Sequence, residues 1–511
     1  MSLLPFLLVT GLGTAFAILL RSRAHLAGFV GVLALVAAVW TAAGIRSGEV
    51  LEFGGLGLAT TEYLRLFLLL GSIVGVGLAI VGAAAGSRRD AAAVSLAILG
   101  SSAIALSVPD ARVAVLAATT GGAFGILLTL VPSGGRAGAT VGTRVLRATV
   151  VAGALAIAAT AWVGRDLSAL GGQPVVFGLA YLAFAIAVAI RFGAIPFHAW
   201  AARLTDAVPE ADLPVVTAWA PAAFALVALA WTDASIAPLL LDLGSVRVVV
   251  IAIAIASIVL ASLAAWIQDD LEHMVGYSIV GDAGVVMLAI AALDPAAWAP
   301  ARTWILVFVV ARSAFAAWAA ATRSAFFTGR IADLRGWAFR SPLLGVTFLI
   351  VVVASLGFPG LAGFDARVAL VVLALDGPLA IVVLLGTLSP IVYYGRLLGI
   401  GLSRPDPRAG GAPTWRPVMA PIDVTDVRIW AARMWAANRA FVASTAALGV
   451  AIIATAAMAG AFGMVEAAAG SPPSLDAAES FPPEAPFASP FESPPAGPTP
   501  DPVSFEPVPT P

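Results

Sequence analysis

Cysteine is absent from the 511 residues. That excludes disulfides, cysteine-ligated iron–sulfur clusters and thiol chemistry on this chain. Lysine is absent too, so the 28 residues counted as Lys+Arg are all arginine. A buried lysine can release its proton; an arginine in practice does not. Only three histidines occur, His25, His198 and His273, too scattered for a haem pair or a zinc site. No cofactor and no metal are therefore expected here, and any redox chemistry is expected on other chains. Charged residues are scarce, at 11%, where soluble domains carry roughly 25%. The net charge of −1 gives no reason to expect a nucleic-acid partner.

What is present is hydrophobic, at 60% of the chain. Apolar runs near the ~20 residues needed to cross a bilayer recur from end to end. The chain reads as an all-α polytopic membrane protein with about fourteen transmembrane helices. The expected spans are roughly 3–20, 26–44, 63–83, 91–108, 111–132, 146–163, 174–200, 214–231, 246–266, 275–292, 302–322, 342–376, 378–400 and 441–464. Proline removes a helical hydrogen bond, so the seventh span should break at Pro196 and the twelfth near Pro359. Glycine-rich Leu51–Ala59 is expected as a short extended loop.

Arginine placement sets the expected orientation. Arg21, Arg23, Arg88, Arg89, Arg136, Arg144, Arg323, Arg330, Arg335, Arg340 and those from Arg404 to Arg439 fall in odd-numbered loops. These loops are expected in the cytoplasm, and an even span count then puts both termini outside it. One odd loop disagrees, because Gln268–His273 carries Asp269, Asp270 and Glu272. Polar, aromatic Val424–Arg439 reads either as an interfacial helix or as an ordinary connecting helix. Residues 465–511, rich in proline and without a basic residue, are expected as a disordered tail. The expected units are 1–108 with the N-terminal helices, then 109–266 and 267–400 with one broken helix each. A cytoplasmic loop at 401–440, the last span at 441–464 and the tail at 465–511 complete the chain.

Ile190–Trp200 concentrates the unusual chemistry. Arg191, Pro196 and His198 stand close together at the end of an apolar run that begins at Pro174. A charge at bilayer depth is expensive, and a broken helix frees backbone groups; together they are what an ion pathway needs. A second candidate is Asp282, early in the tenth span, with Arg312, deep in the eleventh, as its partner. That pair reads equally as a lock between two helices or as part of a conduction path. His198 reads as hydrogen-bonded at the helix break or as a proton carrier, and Arg191 as a buried charge or a snorkelling one.

Three segments, taken in order, resemble one family. The first is Arg-Phe-Gly-Ala-Ile-Pro-Phe-His-Ala-Trp (191–200), followed by Pro209 and Pro-Val-Val-Thr-Ala (214–218). The second is 268–284, with Gly-Tyr-Ser-Ile (276–279). The third runs from Asp-Leu-Arg-Gly (333–336) through Ala-Ser-Leu-Gly-Phe-Pro-Gly-Leu-Ala-Gly-Phe-Asp-Ala-Arg (354–367) to Tyr-Tyr-Gly-Arg (393–396). Together they resemble the antiporter-like, proton-translocating membrane subunits of respiratory complex I and of Mrp-type cation/proton antiporters. The resemblance implies fourteen helices with two discontinuous ones in inverted repeats.

It also implies a mechanism: a glutamate on span five, lysines on spans seven and twelve, and a lysine or histidine on span eight carry protons. In this sequence the span-seven lysine is replaced by Arg191 and the span-twelve lysine by Arg367. The span-eight position falls near Phe224 or Ala225, and the glutamate near Thr119 or Thr120. The family's histidine after Tyr-Ser aligns with Asp282, and the basic pair before it with Glu272 and His273. The charges at Arg191 and Arg367 persist while their proton exchange does not. The titratable groups expected in the core are Asp282, Asp365 and His198, with His273 nearer the surface and Asp206 a solvated loop residue.

The resemblance implies a subunit of a proton-translocating membrane complex in the cell's inner (plasma) membrane. Its partners would be other membrane subunits and the lipid bilayer. A non-pumping structural paralogue and a subunit of a cation/proton antiporter are the alternatives.

Overall fold

The computed structural model describes residues 1–86, 91–130, 136–163, 174–237, 243–404 and 427–470. Arg88 and Arg89, much of the 401–440 loop and the tail from 471 lie outside the described residues.

The chain opens with α1 (Leu4–Leu19) and α2 (Ala24–Ala43). The stretch expected as an extended loop is an antiparallel hairpin, β1 (Val50–Phe53) and β2 (Leu56–Ala59), in register Val50 to Ala59 and Phe53 to Leu56. Gly54 and Gly55 form its turn, at φ 58° and 81°. A two-residue hairpin turn with both φ values positive favours glycine. Then come α3 (Glu62–Ala84), α4 (Ala91–Ser107), α5 (Ala111–Leu130), α6 (Arg136–Trp162) and α7 (Pro174–Phe192). The short α8 (Ala199–Leu204) and a π-turn at Val215–Trp219 precede α9 (Ala220–Ser235). Next are α10 (Gly244–Ile267), α11 (Leu271–Ala292), α12 (Trp298–Phe326) and the one-turn α13 (Trp337–Arg340). The chain continues with α14 (Pro342–Leu356), α15 (Ala362–Ala374), α16 (Gly377–Thr387), α17 (Pro390–Leu402), α18 (Val427–Met458) and α19 (Met464–Ala469).

Eleven helical segments among the described residues are long and apolar enough to cross a membrane. Three shorter apolar helices, α1, α4 and α14, stand where the other three expected spans fall. This is a polytopic, all-α membrane protein. The membrane window of α12 is wholly buried, whereas that of α2 is 28% buried. A helix apolar on every side belongs inside a bundle. α12 is therefore the axis and α2 a peripheral helix.

Both expected breaks are present, and neither starts at its proline. α7 stops at Phe192 because Gly193 takes φ 64°. A Cβ at Gly193 would lie 2.8 Å from that of Ala201, so the close return of the chain also requires glycine. The freed backbone is answered locally. Trp200 Nε1 donates to the Ile190 carbonyl at 2.9 Å, and the Ile195 N–H donates to Ser257 Oγ at 2.9 Å. The second break separates α14 from α15 across Gly357–Leu361.

Arginines cap helix ends across the bundle. Arg247 donates to the carbonyls of Ala291, Leu373 and Ala374, at the ends of α11 and α15. Arg396 donates to those of Trp266 and Gln268 at the end of α10. The last carbonyls of a helix lack intrahelical donors and attract cations. The guanidinium fork answers several of them at once.

Three expectations need correction. The thirteenth span is two helices, α16 and α17, because Pro390 offers no N–H to continue the first. α18 runs unbroken through the expected boundary at 440, so the polar stretch from Val427 is the start of the last spanning helix. The tail expected from 465 begins with the packed α19, held by Arg302, which donates to the carbonyls of Ala468 and Gly470.

Candidate functional site

Asp282 and Arg312 meet in the bundle core. Arg312 is fully buried on the axial helix, and its Nε donates to Asp282 Oδ2 at 2.6 Å. Its Nη1 donates to the hydroxyls of Tyr393 at 3.1 Å and Tyr394 at 2.8 Å. The Tyr394 hydroxyl in turn donates to Ser355 Oγ at 2.9 Å. Four helices, α11, α12, α14 and α17, thus supply one continuous polar string. The tyrosines reach it because they are adjacent on α17, with ring centroids 4.5 Å apart and Phe315 against both. Such a string is favourable in an apolar core because its members answer one another's polar groups. One guanidinium nitrogen, Nη2, remains without a hydrogen-bond partner among the described residues.

Arg367 extends the charge toward the second break. It is 1% exposed and donates to the Leu356 carbonyl, the last residue of α14. Its guanidinium lies 5.4 Å from the ring of Trp304 and 5.1 Å from that of Phe364. It also feels the charges of Asp282 and Arg312. The Trp304 indole N–H points at the Asp282 carbonyl, 3.5 Å away. One carboxylate therefore sits among two fixed cations. Asp365, expected in the core, is instead on the exposed side of α15 and accepts from the Gly360 N–H at 3.2 Å. The stripe Gly363, Ala366, Arg367, Leu370, Val371 and Ala374 faces inward, and Asp365 falls off it.

The first break is organised differently. Arg191 is 1% exposed, so it does not snorkel. Its Nη1 donates to Thr149 Oγ1 at 3.2 Å, while Nε and Nη2 bond nothing among the described residues. His198 stands at the start of α8 with its ring 6.5 Å from that of Tyr277, and its buried Nδ1 has no partner among the described residues.

A charged cluster occupies the odd-loop end. Arg323 bridges Glu210 at 2.8 Å and Glu272 at 2.9 Å, and His273 meets Asp206 at 3.0 Å. The acidic loop that violated the arginine pattern packs on the arginine-bearing segment, with the Asp269 carbonyl accepting from the Ile331 N–H at 2.7 Å. Arg396 lies 3.7 Å from Asp269. Sequence reading missed Glu210, Tyr393, Tyr394, Ser355 and Thr149 as site residues. The two tyrosines were visible as a motif, but nothing local showed which way they turn.

Residues 165–391 match the family described as NADH:quinone oxidoreductase/Mrp antiporter, transmembrane. NADH-quinone oxidoreductase subunit N of Halorhodospira halophila is 30% identical over 230 residues, 44% of this chain and 46% of its own length. The chain spans about half the length of the curated relatives it matches. The fold extends further. A chain of respiratory complex I from Thermus thermophilus, 18% identical, superposes with a TM-score of 0.64 over 91% of this chain and 100% of its own. A chain of the membrane-bound sulfane sulfur reductase, an archaeal respiratory membrane complex, is 15% identical with a TM-score of 0.66 over 91% and 99%. Both breaks, Asp282, Arg312, Ser355 and Arg367 lie inside the matched stretch, and Tyr393 and Tyr394 lie just beyond it. Thr119 and Thr149, which face the first break, precede it.

Proposed function

We propose that this chain is a membrane-arm subunit of a complex I-like NADH-quinone oxidoreductase, of the subunit N type. It contributes to proton translocation coupled to electron transfer on other chains, and carries no redox centre or cofactor itself. It sits in the cell's inner membrane beside other membrane subunits, with both termini outside the cytoplasm. The buried string from Asp282 through Arg312 and Tyr394 to Ser355 is the observation that supports this reading most. Arginine holds its charge, so Arg312 and Arg367 act as fixed electrostatic posts. Protons move on the groups able to exchange them: the Asp282 carboxylate, the tyrosine and serine hydroxyls, and His198.

The test is proton uptake by proteoliposomes of the assembled complex. Asp282→Asn is expected to lower the protons moved per electron pair while electron transfer continues, and Tyr394→Phe to lower it less. Unchanged stoichiometry in assembled Asp282→Asn overturns the reading. One observation favours a second reading, a subunit that completes the assembly without pumping: among the described residues Arg191 faces no carboxylate. That reading requires unchanged stoichiometry in both Asp282→Asn and His198→Ala, with loss of assembly when the chain is removed.

A further inference from the structure

The surroundings of Arg191 are built from donors. The guanidinium is 1% exposed, and its Nε and Nη2 are buried without partners. Thr119 Oγ1 on α5 is likewise buried without a partner. These groups share one place. A Cβ on Gly122 would lie 2.0 Å from Arg191 Nη2, so the guanidinium rests on α5 at that glycine. Thr119 is three residues before Gly122, on the same helix face. A Cβ on Gly153 of α6 would lie 2.8 Å from Thr119 Oγ1. Gly153 is four residues after Thr149, the residue that accepts from Nη1. Three helices therefore turn N–H and O–H groups toward one interface.

None of them supplies an acceptor of opposite charge. α5, α6 and α7 contain no aspartate or glutamate. A buried cation without a counter-charge is strongly destabilising. Arginine does not escape by losing its proton. Water would satisfy the donors without supplying charge. A side chain at Gly122 has no room. We propose that the α5–α6–α7 interface binds one small monovalent anion, a halide such as chloride, on Arg191 Nε and Nη2 and the Thr119 hydroxyl. A halide accepts several hydrogen bonds without imposing direction, which suits donors arriving from separate helices. The site is independent of the proposed function, since a non-pumping subunit has the same need for a counter-ion.

The test is the thermal unfolding of the purified full chain in detergent, with sodium chloride replacing sodium gluconate at constant ionic strength. Chloride and bromide are expected to raise the midpoint by several degrees and to saturate. Arg191→Met is expected to abolish the rise. Thr119→Val with Thr149→Val keeps the charge but removes two hydroxyls, and serves if Arg191→Met does not fold. It should raise the halide concentration for half effect about tenfold. Thr119→Glu supplies an internal anion and should make the midpoint halide-independent. Equal midpoints of the wild type in chloride and gluconate overturn the proposal. So does an undiminished halide response in Arg191→Met or in the double threonine variant.

Discussion

Arg312 and Arg191 are both fully buried in apolar helices, yet their surroundings are opposite. Arg312 meets a carboxylate and two phenol hydroxyls, and the chain continues the string to Ser355. Arg191 meets one hydroxyl and a glycine. The same side chain thus meets a counter-charge in one place and, among the described residues, none in the other. The contrast teaches that burial alone does not define a charge's role; the counter-charge does. Around Arg312 a proton has a carboxylate to occupy. Around Arg191 among the described residues it has none.

The sharpest way to break this comparison is to remove the partner of the paired arginine. Asp282→Leu leaves Arg312 uncompensated and should destabilise the chain by about 3–5 kcal/mol. Adding Arg312→Met should recover most of that loss, measured as a double-mutant cycle in denaturant melts. Arg191→Met should act in the opposite direction. In gluconate it removes an unanswered charge and is expected to stabilise by about 1–2 kcal/mol. A loss as large as that of Asp282→Leu would mean that Arg191 has a counter-charge after all. Arg367→Met strips the cap from α14 and two ring contacts, with an expected cost of about 1–2 kcal/mol. Arg367→Lys should keep only part of it, since lysine lacks the planar fork. Tyr394→Phe removes one link of the string and should cost about 1 kcal/mol in the same melts. The smallest effect belongs to the half-exposed pair at the odd-loop end, where Asp206→Asn should shift stability by roughly 0.5 kcal/mol or less.

Much of the frame was legible along the chain. Hydropathy located the spans because crossing a bilayer requires a long apolar run and internally satisfied backbone. Pro196 and Pro359 marked two interruptions, although the glycines set where the helices stop. The Asp282–Arg312 contact was also readable, since two opposite charges in neighbouring apolar spans have few other ways to be satisfied. Asp365 was misplaced for a reason that the sequence itself contained. The spacing of Gly363, Ala366, Arg367 and Leu370 is the helical stripe, and Asp365 is off it. The hairpin was hidden because a four-residue strand among glycines has little pattern of its own. Glu210 was missed because its partner, Arg323, is 113 residues away.

By itself, the sequence determined that this is a membrane bundle, that two of its helices are interrupted, and that no lysine serves in its interior. These properties are sums over composition and hydropathy, and they survive any rotation of a helix about its axis. Only the tertiary structure decided which buried charge has an answer. That depends on helix rotation, where one residue changes the facing direction by about 100°, and on which helix lies opposite. Tyr393 and Tyr394 face Arg312 for that reason, and Arg191 faces Gly122 for the same one.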